Sequence, residues 1–164
     1  MKIFRLPPEH MFYGFGTTPF GPAIALFDED GLCGLGFGSN KADLLADYDK
    51  RWKCDFTRDE EMAQHILGEI FAGKSWPLHL IGSDWQIAVW QALLDIPAGE
   101  TTSYGALAAR LGNPKAARSV GAAVGQNPIA YVVPCHRVLA KNGAMTGYHW
   151  GLDVKEKLLA AERG

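Results

Sequence analysis

Three cysteines in 164 residues are too few, and odd in number, to staple a secreted disulfide scaffold. No two of Cys33, Cys54 and Cys135 have the spacing of a zinc clip, so neither a metal nor any other cofactor is expected. Lone free cysteines are ordinarily inert core residues, and Cys33 and Cys54 are read that way. Long apolar runs are also missing: nothing approaches the roughly 18 residues of a membrane span. The opening MKIFRLPPEH puts two prolines where a secretion signal needs an apolar run. The expectation is a soluble, cytoplasmic protein with no membrane partner. Apolar side chains themselves are plentiful. With 48% hydrophobic and 21% charged residues, disorder and low-complexity structure are excluded. The length suits one domain or two small ones.

Acid is absent where it would matter most. Between Thr101 and Leu152 there is no Asp or Glu, while Arg110, Lys115, Arg118, Arg137 and Lys141 all fall there. Residues 1–84 carry 8 Lys/Arg against 13 Asp/Glu, and residues 85–164 carry 8 against 5. A carboxylate near a phosphate cancels much of what a lysine gains, so an acid-free stretch suits a polyanion. Five cations imply weak, salt-sensitive binding that is largely blind to sequence. Chance clustering of solvated charges is the competing reading.

The fold class is α+β, with a composition shift near Gly82 taken as the boundary between 1–82 and 83–164. In the first half, PAIALF (22–27), the turn DEDG (28–31) and LCGLGFG (32–38) signal a hairpin. Asn40 can cap a helix over 41–52. A second helix over 59–72 aligns Met62, Ile66, Leu67, Ile70 and Phe71, and Gly73 stops it. WPLHLIG (76–82) is a short strand or linker. The second half is mainly helical. One helix starts near Asp84 and ends before Pro97-Ala98-Gly99. Another is capped by Thr102 or Ser103, and a third runs from Pro114 to Val124. The last two, joined by Gly112-Asn113, form either a helix-turn-helix or an ordinary helical hairpin. The third helix offers Ala116, Ala117, Ser119, Gly121, Ala122 and Ala123 with one long cation, Arg118. A base-reading helix offers Arg, Lys, Asn or Gln instead. This helix therefore either packs inside the protein or lies slimly on DNA, with Arg118 probing the base stack.

IAYVV (129–133) reads as a buried strand ending at Pro134-Cys135-His136-Arg137. Cys135 sits among cationic groups that favour the thiolate, the nucleophilic form. Successive residues of an extended chain point to opposite sides. Direct contact between Cys135 and His136 therefore needs a turn there, and otherwise a water carries the proton between them. A histidine that accepts a proton needs an orienting acceptor. The carboxylates left in the second half are Asp95, Glu100, Asp153, Glu156 and Glu162. Glu162 closes the helix LDVKEKLLAAE (152–162), where the helix dipole disfavours it unless it is paired.

Three stretches together resemble the O6-alkylguanine-DNA alkyltransferases: SYGALAARLGNPKAARSVGAAVGQNP (103–128), VVPCHRV (132–138), and NGAMTGYHWGL (142–152) followed by VKEKLL. TPFGPAIALF in the first half resembles the family's N-terminal strand more loosely. The resemblance implies a supporting N-terminal α/β domain (1–82) around an antiparallel, ribonuclease H-like sheet. It also implies a C-terminal DNA-binding domain (83–164) with a helix-turn-helix. The implied reaction flips the damaged base out of the duplex and moves its alkyl group irreversibly to Cys135. The substrates would be O6-alkylguanine and also O4-alkylthymine. His136 would activate the sulfur through water, with Glu162 as its partner. Arg118 would fill the gap in the stack, and Tyr104 would stand by the 3′ phosphate. Asn127 would act as a hinge, and the carbonyls at Cys135 and Val138 would read the exocyclic amine. Tyr148 would wall the pocket. Ala117, Ser119, Arg137 and His149 complete the implied substrate and DNA contacts. The partner would be double-stranded DNA, met in the minor groove with little sequence specificity by a monomer. Two rivals stand beside this reading: a module that binds alkylated bases without repairing them, and a Cys-His hydrolase.

Overall fold

The turn Asp28-Glu29-Asp30-Gly31 shows how local chemistry starts the first unit. The Asp28 carboxylate accepts from the backbone N–H of Asp30 (2.9 Å) and of Gly31 (3.2 Å). Gly31 takes φ +144°, a conformation that L side chains rarely adopt. The computed structural model describes residues 1–145 and 147–164 of the chain, which divides into the units Met1–Gly82 and Ser83–Gly164. The turn joins β3 (Gly21–Asp28) to β4 (Gly31–Phe37), the hairpin that the sequence signals. With β2 (His10–Thr18) and β5 (Asp55–Arg58) they form a four-stranded sheet in the order β4-β3-β2-β5. β2, β3 and β4 pair antiparallel, but β5 runs parallel to β2. The sheet is therefore mixed, not wholly antiparallel as expected. α1 (Lys41–Trp52) intervenes between β4 and β5, so β5 is a crossover strand, not a hairpin partner. β1 (Lys2–Phe4) pairs parallel with β6 (His79–Ile81), the strand option left open for WPLHLIG.

α1 begins at the Asn40 cap, whose side chain accepts from the Asp43 N–H at 3.0 Å. It buries Leu44, Tyr48 and Trp52 against Met11, Ile24 and Leu26. α2 (Glu60–Phe71) is capped by Asp59 and buries Ala63, Ile66, Leu67 and Ile70. It lies close against β2 because Gly14 and Gly16 carry no side chain there. Those glycines also hide β2 from strand propensity, which counts glycine as unfavourable.

The second unit is mainly helical. α3 (Asp84–Leu94) opens with a capping box between Ser83 and Gln86. Trp90, fully buried, donates its indole N–H to the Ala123 carbonyl at 2.9 Å. β7 (Thr102–Ser103) leads into α4 (Tyr104–Arg110), capped by Ser103. α5 (Ala117–Gly125) starts three residues later than the Pro114 expected from sequence. Asn113 O instead accepts the Ala116 N–H at 2.9 Å, which closes a turn around Pro114. β7 pairs parallel with β8 (Val138–Leu139), and α6 (Leu152–Arg163) closes the chain. Residues 129–133 are buried or half-buried but form turns, not the expected strand. Val133 N–H donates back to Ile129 O (3.1 Å), and Tyr131 takes φ +68°. Among the described residues, no helix is long and apolar enough to cross a membrane.

The packing of α2 on β2 can be tested at two glycines. A Cβ at Gly14 would lie 2.6 Å from Ala63 Cβ and 2.9 Å from the Asp59 carbonyl oxygen, whereas one at Gly68 would meet nothing within 4 Å. Gly14→Ala should lower unfolding free energy by about 1–3 kcal/mol through overpacking. Gly68→Ala, inside a helix, should raise it by about 0.5–1 kcal/mol. Urea unfolding of the two variants measures both signs.

Candidate active site

Asn127 explains why the apolar run after α5 turns instead of extending. Its side-chain amide donates to Ile129 O (3.2 Å) and Val133 O (2.9 Å), and its Oδ1 accepts the Ile129 N–H (3.0 Å). A side chain that satisfies three backbone groups removes the need for a strand partner. Its own N–H donates to Val124 O (3.2 Å) at the end of α5. One residue therefore ties α5 to the loop that delivers Cys135.

Cys135–Arg137 form a single turn of 3-10 helix, closed by the Val138 N–H donating to Cys135 O. The strand end expected at Cys135 is in fact this turn. It carries His136 inward, where the ring is fully buried. His136 Nε2 lies 2.7 Å from Glu162 Oε1. With a carboxylate there, the imidazole holds its proton on Nε2, which leaves Nδ1 as a lone pair. Nδ1 is buried without a hydrogen-bond partner among the described residues.

Glu162 is doubly held. Arg137 Nε donates to both carboxylate oxygens (3.2 and 3.0 Å), and Arg137 Nη2 donates to Oε1 at 2.7 Å. The remaining Nη1 donates to Ile96 O at 2.5 Å. Burial alone would push the Glu162 carboxyl up, but the bonds from Arg137 and His136 outweigh it and hold it below the usual carboxylate value. Its place near the end of α6, unfavourable for a lone carboxylate, is offset by this pairing. His136 is depressed from its ordinary value mainly by burial, which Glu162 only partly opposes. It is therefore neutral at physiological pH.

Cys135 is 5% exposed. Burial pushes its thiol up to about 11, against the opposing pull of Asn127, Lys155, the backbone and Tyr148. The sequence expectation of a thiolate favoured by its cationic neighbours is corrected: His136 is neutral and Arg137 is spent on Glu162. At pH 7 a thiol of pKa about 11 is ionised to roughly one part in ten thousand, so it needs a base when it reacts.

The sulfur faces a half-open cavity of about 380 Å³, walled by Tyr104, Gly121, Val124, Gly125, Gly147, Tyr148 and His149. That volume lies in the ordinary range of small-molecule sites. A neighbouring cleft of about 430 Å³ shares Tyr104, Gly121 and Gly147 and adds Ala117 and Arg118. Arg118 and Ser119 are exposed on α5, and Ser119 O accepts the Trp85 indole N–H at 3.4 Å. Val138 is buried, its carbonyl taken by Lys155 Nζ at 2.8 Å. Thus Cys135, Tyr104, Tyr148 and His149 meet at one cavity, while Arg118 and Ala117 flank it. His136, Glu162 and Arg137 form a relay behind it. Lys155 was missed by sequence reasoning. Its i+3 and i+4 spacing to Leu158 and Leu159 already placed it on the buried face of α6.

In the first unit, Asp28, Cys33 and His79 bring three potential metal-ligand atoms within 4.8 Å. A search for paired cysteines could not find this group, because strand pairing brings together three different residue types. Within it, His79 Nδ1 and Asp28 Oδ2 already pair at 2.6 Å, and the chemistry derived below uses none of the three.

A buried cysteine backed by a His-Glu pair, beside a cavity and a cation-bearing helix, defines a group-transfer or hydrolytic site. Comparison with known proteins narrows the class. Residues 84–164 match the DNA-binding domain of the 6-O-methylguanine DNA methyltransferases. A methylated-DNA–protein-cysteine methyltransferase of Methanosarcina acetivorans is 40% identical over 156 residues, covering 93% of this chain and 98% of its own. Another from Mycolicibacterium paratuberculosis is 55% identical over 101 residues, 59% of this chain and 61% of its own. The crystal structure of Mycobacterium tuberculosis OGT in complex with DNA is similar at 38% identity and a TM-score of 0.77, covering 93% of this chain and 92% of that one. The chain belongs to the methylated-DNA–protein-cysteine methyltransferase family.

Burying a neutral histidine ties stability to pH. The folded His136 value lies below its ordinary 6.5, so the unfolded chain binds more protons in that window. Stability should therefore decline as pH falls through about 6.5. Glu162, held below its ordinary 4.5, adds a second loss at lower pH when it protonates. The urea midpoint should fall between pH 7.5 and 5, and His136→Gln should flatten that part of the slope.

Proposed function

We propose that this protein reverses DNA alkylation directly, transferring the O6-alkyl group of guanine, and the O4-alkyl group of thymine, to Cys135. The observation that carries the reading is Cys135 facing a cavity of about 380 Å³ with the His136–Glu162 pair behind it. The helical pair α4–α5 acts as a helix-turn-helix that lies in the minor groove. The small residues of α5 let its backbone approach the duplex while reading little sequence. Ala117 and Ser119 meet the duplex there, and Arg118 occupies the gap left by the flipped base. Residues 83–164 form the DNA-binding and alkyl-transferring domain. Residues 1–82, with a ribonuclease H-like sheet, form a supporting domain. A monomer suffices, since every group assigned to the chemistry lies in one chain. A reaction that consumes a reduced thiol fits the cytoplasm.

The chemistry follows from the protonation states. One water passes the thiol proton to His136 Nδ1, whose positive charge Glu162 then stabilises. Sulfur attacks the alkyl carbon as the C–O6 bond breaks. The electron pair leaves with the purine, which takes one proton back. The sum is thiol plus alkylguanine giving thioether plus guanine. The Tyr104 hydroxyl donates to the purine as negative charge develops on it. Tyr148 and His149 wall the cavity, and the Cys135 carbonyl accepts from the exocyclic amine; the Val138 carbonyl, first read in the same role, is better assigned to holding Lys155. Asn127 keeps the sulfur in register with α5. Arg137, first read as a DNA contact, is better assigned to holding Glu162, since its guanidinium is already engaged there.

Duplex DNA carrying labelled O6-methylguanine should leave its label on the peptide containing Cys135, with one equivalent transferred per protein. Cys135→Ser should bind the same DNA and transfer nothing. Label retained on DNA by the wild type would favour a binding module, and turnover beyond one equivalent would favour a hydrolase.

A further inference from the structure

Tyr131 takes φ +68°, a backbone region that bulky side chains rarely occupy. The Val132 N–H donates across it to Ala130 O at 2.7 Å. The three residues therefore close a γ-turn of the strained kind, whose central φ is positive. Among the described residues, only Lys53 shares a positive φ without being glycine, and Lys53 caps the end of α1, the usual place for that conformation. Tyr131 ends no helix.

Strain of this kind persists only where the surroundings over-determine it, and here the surroundings lead to the sulfur. The Val133 N–H donates back to Ile129 O at 3.1 Å. The Val133 carbonyl accepts from both Asn127 Nδ2 (2.9 Å) and the Cys135 N–H (2.8 Å). Pro134, between them, takes φ −81° and ψ 62°, the relaxed form of the same three-residue turn. Ile129, Ala130 and Val133 are fully buried, so packed side chains enclose the bend. One carbonyl thus joins the bend at Tyr131 to the backbone of Cys135, and Asn127 holds it.

We propose that Tyr131 is a positioning residue for the transfer: its left-handed backbone sets where Cys135 meets the cavity, and the Asn127 amide holds that bend against its tendency to relax. This rests on Cys135 being the alkyl acceptor. A relaxed φ would re-aim Val133 O, and with it the Cys135 N–H that the carbonyl holds. Displacing a reacting atom by about 1 Å is enough to slow a reaction about a hundredfold. No bond forms or breaks at Tyr131 itself.

The test compares glycine with alanine at position 131. Both remove the side chain, but only alanine is penalised at positive φ. The urea midpoint of Tyr131→Gly should therefore exceed that of Tyr131→Ala, and the reverse order removes the bend and the proposal with it. Single-turnover transfer to saturating O6-methylguanine DNA then reads the positioning, with DNA affinity measured separately. Asn127→Ala should slow the saturated rate about a hundredfold. Adding Tyr131→Gly, which removes the strain that Asn127 opposes, should recover about tenfold, and adding Tyr131→Ala should recover nothing. The two double variants should bind the DNA alike. Equal rates in both overturn the proposal. So does a glycine double variant that regains its urea midpoint but not its rate, because the bend would then serve stability alone. If Asn127→Ala does not fold, Tyr131→Val and Tyr131→Asn in the otherwise intact chain decide. Asparagine tolerates positive φ and a β-branched residue does not, so the asparagine variant should transfer about tenfold faster, and equal rates refute the positioning. A wild type that accepts no alkyl group sinks the repair reading instead, while the midpoint order still reports on the bend.

Discussion

A sulfur kept dry is hard to ionise, and the second unit is arranged around that conflict. Bulk water must be kept from Cys135 if the attacking sulfur is to meet carbon without competition, leaving room for no more than the one water that relays its proton. Exclusion also raises the thiol to about 11. The protein's answer is distributed. Asn127, Lys155 and Tyr148 each pull the thiol back down, and His136 is held neutral with a free lone pair. Each depends on the one behind it. His136 keeps its tautomer because Glu162 accepts from Nε2, and Glu162 stays ionised because Arg137 grips both of its oxygens. The carboxylate is placed by the last turn of α6, the arginine by the same 3-10 turn as the sulfur. One short turn and one terminal helix therefore define the reacting constellation.

The cavity exists because side chains are missing around it. Gly121, Gly125 and Gly147 line it beside Tyr104, Tyr148 and His149. On α5, a Cβ at Gly121 would make ordinary contact with the Tyr104 ring at 3.6 Å, so its absence leaves a methyl-sized space beside the tyrosine. The residues that make α5 a poor base reader thus also leave room for a base beside the sulfur. Slenderness serves both the duplex side and the cavity side of this helix.

Where local rules act alone, the sequence was legible. Asn40 caps the helix that its residue type announces, Ser103 is the one of the two candidates that caps α4, and the hairpin turns on its Asp-Gly pair. The family motifs made Cys135, His136 and Glu162 readable, though nothing local tells Glu162 from an exposed carboxylate near a chain end. What stayed hidden depends on tertiary partners. β2 carries no clear strand signal because its glycines make sense only once α2 is pressed against them. Residues 129–133 looked like a strand because β-branched composition cannot reveal that Asn127 bonds their backbone. Arg137 looked free for DNA because the distance in sequence to Glu162 conceals their pairing. Asp28, Cys33 and His79 are likewise joined only by strand register.

The direction of the chemistry follows from the same burial. A thiolate derived from a thiol of pKa about 11 is intrinsically a strong nucleophile and a poor leaving group. Once its lone pair is committed to carbon, reversing the bond would return that costly anion to a dry site. No second thiol or carboxylate is found among the described residues lining the cavity, so nothing there can pull the alkyl group away. The thioether also has no proton for His136 to collect, which leaves the relay without a task. Irreversibility therefore needs no separate device: the desolvation that makes ionisation difficult before transfer makes release difficult after it.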